Sequence, residues 1–478
     1  MNTEKHGKRE LLLVFALFIA SLPAVTARLY SSDEVEYFSY LRSLWFDHDV
    51  SFDNEYRYFY DHRIAQTPDF HHTFLELQTA TGRRINYGTI GCAILWAPFY
   101  GVADVATRAM RTMGGAVEAD GYSRPYVAAV AYGSAFYGFA AIVMAVAATR
   151  QLVRKYALSS GLAVWVGTPL LFYMYVAPPF SHACSAFAVA LFVTVWLKVR
   201  QTWTMNGIVV LGLAAALMAM VREQDLICAL GPAVDFGLAH FKVKGKRQKA
   251  KGKDERLQGW KVAATGGGAF LIAYLPQLIA YQALNGFPRP SPLVTRKMFW
   301  YSPHALQVLL DPEHGFLFWT PLALLGLAGL IGLVAAPRAI ARDDASSPDI
   351  RQIGGCMLLM VATQVYISGA VESWTVAGAF GQRRFVAVTM FLVIGLAAFR
   401  SWIDSRAARI ATNIAIVLCV WWNLALTLEF GTSMMDRQKL ELRRNAYDAF
   451  VTLPRTAPKL LYRYFTNRSS FYKPAATD

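Results

Sequence analysis

Apolar stretches of membrane-crossing length recur along this chain from Leu11 to residue 429, separated by short loops rich in Lys and Arg. Inside lipid, backbone polar groups find partners only in a helix or a closed barrel, and a helix needs about 20 apolar residues to cross. The predicted spans are 11–27, 125–149, 157–177, 182–199, 204–221, 224–241, 262–283, 315–336, 353–370, 384–399 and 409–429. The expected fold is therefore an all-α polytopic membrane protein of about eleven transmembrane helices. Composition agrees, because charged residues are 17%, below the roughly 25% of a soluble domain.

Charge placement orients the helices. Lys5, Lys8 and Arg9 precede the first span, and such a basic leader holds the N-terminus in the cytoplasm. Nine Lys/Arg lie between Lys242 and Lys261, and this loop should also remain inside. Counting 88–108 as a span would expose that loop. Pro98 and Asp104 interrupt the segment, so it is expected to be a re-entrant or surface helix on the outer side. Residues 1–430 then form one transmembrane module, with a large first outer region (28–124) carrying surface helices and a second at 284–314. The tail 431–478 is expected outside, although it carries nine Lys/Arg, unusual for an exported segment.

Several classes drop out. The net charge of +15 sits mostly in loops, where it sets topology and touches anionic lipid. No basic helix or aromatic-interleaved motif points to nucleic acid. No GxxxxGK[ST] or strand-borne GxGxxG occurs, so chemistry powered by a cytoplasmic nucleotide domain is not expected. Cys92, Cys184, Cys228, Cys356 and Cys419 show no paired spacing, so neither a disulfide framework nor a zinc site is implied.

The outer face collects the polar groups. Asp33-Glu34 follows the first span within Ser31-Ser32-Asp33-Glu34, which has the chemistry of a helix N-terminus. Tyr37, Leu41, Leu44 and Trp45 follow at helical spacing and suit a helix lying on the bilayer. A carboxylate held at the membrane–water boundary suits a general base for a lipid-borne substrate; capping alone is the plainer reading. His182 falls in the turn after the third span, and Arg222-Glu223-Gln224-Asp225 in a later tight turn, where a structural clamp of Arg222 on Glu223 or Asp225 is an equal reading. The 284–314 loop offers Arg289, Arg296, Lys297, His304, Glu313 and His314. Trp374 to Arg384 ends in paired arginines, and Gly378 and Gly381 would let backbone approach a bulky ligand. Ionisable groups at such depths are costly, so each is a candidate. His71-His72 with Asp69 and Glu76 reads as a solvated loop rather than a metal cluster.

Taken together, these positions resemble the GT-C superfamily of membrane glycosyltransferases, which includes protein O-mannosyltransferases and the aminoarabinose transferases that modify lipid A. The motifs are Asp33-Glu34 with Tyr37 and Arg42, Tyr87-Gly88 with Ala97-Pro98-Phe99, Ser181-His182, and Ala379-Phe380-Gly381-Gln382-Arg383-Arg384-Phe385. His314-Gly315-Phe316-Leu317-Phe318-Trp319-Thr320-Pro321 looks like a segment of uncharacterised bacterial members. The resemblance implies a polyprenyl-phosphate sugar donor and an acidic base in the first outer loop, by position Asp33, with Glu34 as the alternative. The Lys-Pro-Pro of some members is replaced by Ile85-Asn86-Tyr87-Gly88. That leaves Arg83, Arg84, Arg222, Arg383 and Arg384 as candidates for the donor phosphate, with Tyr37, Tyr87, His182, His304, His314 and Trp374 as substrate-binding candidates.

On this reading the protein lies in the cell inner (plasma) membrane and transfers the sugar, with inversion, to a lipid, glycan or protein acceptor on the outer face. Asp33 would deprotonate the acceptor hydroxyl and arginines would neutralise the departing phosphate, with no cofactor and no required divalent metal. A surface-polysaccharide polymerase or ligase is the nearer rival, though it would more typically carry its long outer loop late in the chain. A transporter or lipid flippase should show repeats and midplane polar residues.

Overall fold

The structure, a computed structural model, describes residues 2–241, 251–342 and 346–471. Parts of the basic 242–261 loop and the last residues of the tail lie outside that range. The described chain is helical, with no strand and three isolated bridges, Gln78–Arg84, Val153–Ala341 and Met298–Val371.

Each predicted span coincides with a helix or a helix pair. Six helices among the described residues are long and apolar enough to cross a membrane: Arg124–Leu152, His182–Val199, Gly259–Asn285, Ser347–Ala370, Arg383–Trp402 and Arg406–Gly431. Leu12–Ala24, Ala157–Val166, Met205–Val221 and Leu322–Ala335 are apolar but shorter. The expected span 157–177 breaks at Gly167-Thr168-Pro169 into Ala157–Val166 and Leu170–Tyr175, and 315–336 breaks at Thr320-Pro321. Proline lacks the amide proton that would continue the preceding helix. Residues 224–241 begin as a 3-10 turn, Glu223–Ala229, before Leu230–Phe241.

Small residues bring the helices together. A Cβ at Gly329 would stand 1.7 Å from the carbonyl oxygen of Gly395, and one at Gly395 would stand 2.0 Å from that of Gly326. The helices Leu322–Ala335 and Thr389–Trp402 therefore cross backbone on backbone, the packing available where lipid offers no hydrophobic drive. Near the other end of His182–Val199, Arg200 donates to both oxygens of buried Asp235 (2.9 and 3.0 Å) and to Asp349 (2.6 Å). Trp196 Nε1 (2.9 Å) and the Gln352 amide complete the shell around Asp235.

The first outer region has its own core. Ser31 caps the helix Ser32–Arg42, and its side chain and that of Glu34 form a reciprocal capping box. Val35, Phe38, Tyr40 and Leu41 are no more than 2% exposed and pack with Phe52, Tyr56 and Phe59. Glu34, Glu36, Ser39 and Ser43 are buried too. The helix is thus largely enclosed by protein, with Phe59 and Tyr100 against Phe38, Phe52 against Tyr40 and Tyr100 against Trp45, which stays 36% exposed. Arg42 pins its end, donating to Glu55 (3.0 Å) and Asp47 and lying 4.5 Å over the Tyr122 ring.

Segment 88–108 appears as one helix, Gly91–Thr112, running through Pro98. Asp104 does not interrupt it, since it accepts from Arg108 (2.9 Å), Tyr126 Oη (2.7 Å) and Trp45 Nε1 (3.3 Å). The tail folds as well, through Leu442–Tyr447 and Leu453–Thr466. Arg468 donates to the carbonyls of Pro23 and Ala24, both at 2.6 Å, and of Val25 at 3.2 Å. The tail therefore closes over the end of the first helix.

Candidate functional site

Helical spacing sorts the acids of Ser32–Arg42. Asp33, Glu36 and Tyr37 stand at i, i+3 and i+4 and share a face. Glu34 is turned to the capping box, where its Oε2 accepts from the amides of Tyr30 (2.8 Å) and Ser31 (3.1 Å). Burial pushes its carboxyl up to about 8, against those two hydrogen bonds. Glu34 has a structural post, and the base candidate in this region is the neighbouring Asp33.

Asp33 meets the paired arginines across 350 residues of sequence. Arg383 Nη1 donates to Asp33 Oδ2 at 2.6 Å, and the two side chains keep 23% and 40% of their exposure. The pair is therefore reachable from outside the protein. The Arg383 guanidinium lies 5.5 Å over the Phe180 ring, and Phe180 stacks on His182. His182 is buried and its Nδ1 pairs with Arg222 Nη1, while Arg222 Nη2 donates to Gln224 (3.0 Å). Arg222 thus clamps histidine and glutamine, not Glu223 or Asp225 as its neighbours in sequence suggested. Tyr37 lies within electrostatic reach of Ser181 and Arg222.

Arg384 turns the other way, donating to the Ser373 carbonyl and hydroxyl, both at 3.0 Å. Next to it, Gln382 Nε2 donates to the carbonyls of His314 (2.8 Å) and Trp374 (2.9 Å). His304 stacks on Trp374 with centroids 5.2 Å apart, and His314 meets the same ring edge-on at 6.0 Å. These residues form the wall behind the arginines. Gly378 and Gly381 have φ of +81° and +61°, so they serve turns in the chain first.

The 83–84 turn stands apart. Arg84 is held by Asp53 (2.7 Å) and the Glu76 carbonyl (3.2 Å), and Arg83 makes no side-chain hydrogen bond or ion pair among the described residues. His71 and His72 both pair with Glu76 on an exposed turn, at 2.9 and 3.0 Å. Among the described residues no group of three His, Cys, Asp or Glu is placed to hold a metal ion.

Glu36 is the residue the sequence did not single out. It is 5% exposed, its carbonyl accepts from Asn86 Nδ2 (3.1 Å), and the nearby Tyr87 amide favours its charged form. Burial first, then the charge of Asp33, pushes its carboxyl well above the usual range, while Lys297 and Arg383 oppose the shift. Lys297 also lies 5.0 Å from the Tyr87 ring centroid. The i+3 spacing from Asp33 was the available signal. Chemically, the site offers a reachable carboxylate, a second carboxyl held toward its neutral form, and arginines that can receive an anion. No known protein family model matches this chain, and no curated protein matches it significantly in sequence.

Proposed function

We propose that the chain is an integral membrane glycosyltransferase that moves a sugar from a polyprenyl-phosphate donor to a lipid, glycan or protein acceptor, with inversion. The observation that carries this reading is the half-open Asp33–Arg383 ion pair with Arg222 and Arg384 beside it. Arg383 holds the Asp33 carboxylate in this pair. A donor phosphate binds the planar guanidinium fork better than a single carboxylate oxygen does, and so releases Asp33. Asp33 then takes the proton of the acceptor hydroxyl as its oxygen bonds to the anomeric carbon. The bond from that carbon to the phosphate oxygen breaks, and the phosphate leaves with its electron pair and added negative charge on the arginines. A single displacement inverts the centre.

The direct test is mass spectrometry of envelope glycolipids, glycans and glycoproteins with and without the protein, where one sugar-bearing species should disappear. Arg383→Ala should lower transfer about 10²-fold and Arg383→Lys less, because Lys keeps charge without the fork. Arg83→Ala should remain near wild type. Full activity in both Arg383 variants with loss in Arg83→Ala would move the phosphate site to the 83–84 turn.

Orientation belongs to the same reading: eleven crossings in the inner membrane, N-terminus inside, site outside. It is supported by the polarity of three elements. The first helix runs from Glu10 to the Pro23–Thr26 turn, Ala157–Tyr175 runs to Tyr173 beside Arg383, and Arg383–Trp402 runs from the site to Arg400. Arg150, Arg154, Lys155, Arg342 and Arg400 gather at the end away from Asp33, where cytoplasmic cations belong. The tail, through Lys439–Glu313 (3.1 Å) and Arg468, keeps to the Asp33 end. A reporter after Lys253 should be cytoplasmic, and reporters at Asp61 and after Lys473 external; a cytoplasmic signal at Asp61 would sink the catalytic scheme.

A further inference from the structure

The end of the bundle opposite Asp33 holds an open pocket of about 310 Å³ that the transfer scheme does not use. The distance is set by the helix Arg383–Trp402, whose two ends carry Arg383 and Arg400, roughly 25 Å apart at 1.5 Å per residue. Arg150, Arg154 and Lys155 line the pocket against one lining carboxylate, Glu10, which pairs with Arg150. Its wall is built rather than incidental. Arg400 Nη1 donates to the lining Ser159 hydroxyl at 2.6 Å and lies 4.3 Å from the centroid of the Tyr156 ring. Arg342 Nη1 donates to the Arg150 carbonyl at 3.2 Å, and the Arg154 amide to Ile340 at 3.2 Å. Tyr156 takes a left-handed φ of 69° to make the corner.

Basic loops alone would satisfy the orientation rule without forming a pocket, so the concavity needs its own account. Its volume is at the lower end of the range for small-ligand sites, enough for a phosphate-bearing headgroup. One more feature selects the source of that phosphate. From Glu10 the first helix continues with Leu12, Leu13, Phe15, Leu17 and Ile19 exposed around most of its girth, as suits a helix that crosses lipid, so acyl chains reach the pocket mouth. A soluble phosphate ester gains nothing from that neighbour, whereas a lipid packed against the helix can set its headgroup among the cations.

We propose that this pocket binds the phosphodiester headgroup of an anionic phospholipid in the leaflet opposite the active site. Basic pockets between membrane helices on the cytoplasmic side have this chemistry, with each cation near the surface adding to the attraction. The side chains of Arg154 and Lys155 are exposed, so replacing them leaves the core intact.

The test uses the purified full-length chain in neutral detergent, titrated with phosphatidylglycerol, phosphatidylcholine or inorganic phosphate and read by native mass spectrometry and thermal unfolding. Phosphatidylglycerol should bind and raise the unfolding midpoint, and phosphatidylcholine should do neither. Lys155→Gln should weaken phosphatidylglycerol binding about fivefold. Lys155→Glu should weaken it at least as much as one removal. Equal binding of the two lipids, or unchanged binding in both variants, overturns the site. Inorganic phosphate that competes at concentrations comparable to the lipid overturns the lipid source and leaves a soluble-anion site. Sugar transfer by the detergent-solubilised variants is expected to persist, which separates this result from failure of the transfer scheme.

Discussion

Asp33→Asn should lower sugar transfer by roughly 10²-fold or more, while expression and donor binding persist. The helix does not depend on this residue for its start, because Ser31 is the N-cap and Glu34 the reciprocal partner. Asparagine keeps the size of the side chain and an oxygen able to accept from Arg383, and loses only the charge and the capacity to take a proton. Asp33→Ala should fall as far. Its additional cost in stability should stay within about 1 kcal/mol, the usual worth of a first-turn charge at a helix N-terminus. Glu34→Gln should remain active, since Gln also completes a capping box. Transfer in detergent extracts from a polyprenyl-phosphate sugar, normalised to folded protein, is the measurement. An active Asp33→Asn with an inactive Glu36→Gln would move the base three residues along the same face, and activity in both would end the proposed mechanism.

Asp235→Ala should destabilise the protein by about 3–5 kcal/mol, the cost of breaking a buried ion pair from one side. The loss leaves Arg200 with Asp349 alone, at 9% side-chain exposure, and strands the Trp196 indole N–H and the Gln352 amide. Asp235→Asn keeps an acceptor and should lose less. The network is remote from Asp33, so the surviving folded fraction should transfer sugar at the wild-type rate per molecule. Unfolding midpoints in detergent, with transfer normalised to folded protein, separate the two quantities; a midpoint unchanged in Asp235→Ala would show that Arg200 finds equivalent partners.

The helices were legible because an apolar run of crossing length has few alternatives in lipid. Their interruptions were partly legible, in Pro169 and Pro321. The start of Ser32–Arg42 was legible too, but the division of labour between its acids was not. Asp33 and Glu34 differ in sequence by one methylene, and only the turn of the helix sends one to the cap and the other to Arg383. The enclosure of that helix escaped pattern reading because its polar residues are as buried as its apolar ones. Likewise, five arginines looked equivalent as phosphate ligands. Arg383 turns to Asp33, 350 residues away, Arg222 to His182 and Arg384 to Ser373, while Arg84 is claimed by Asp53, a sorting made by tertiary contacts that no local pattern encodes.

The hold of Arg468 on Pro23, Ala24 and Val25 joins segments more than 440 residues apart in sequence. Three carbonyls on the approach to the Asp33 helix thus take their donor from a part of the chain made long after them. A protease nick between the last span and Arg468 would leave the membrane helices inserted while those three hydrogen bonds are lost. Damage in the tail is therefore expected to be felt at the Asp33 end of the bundle.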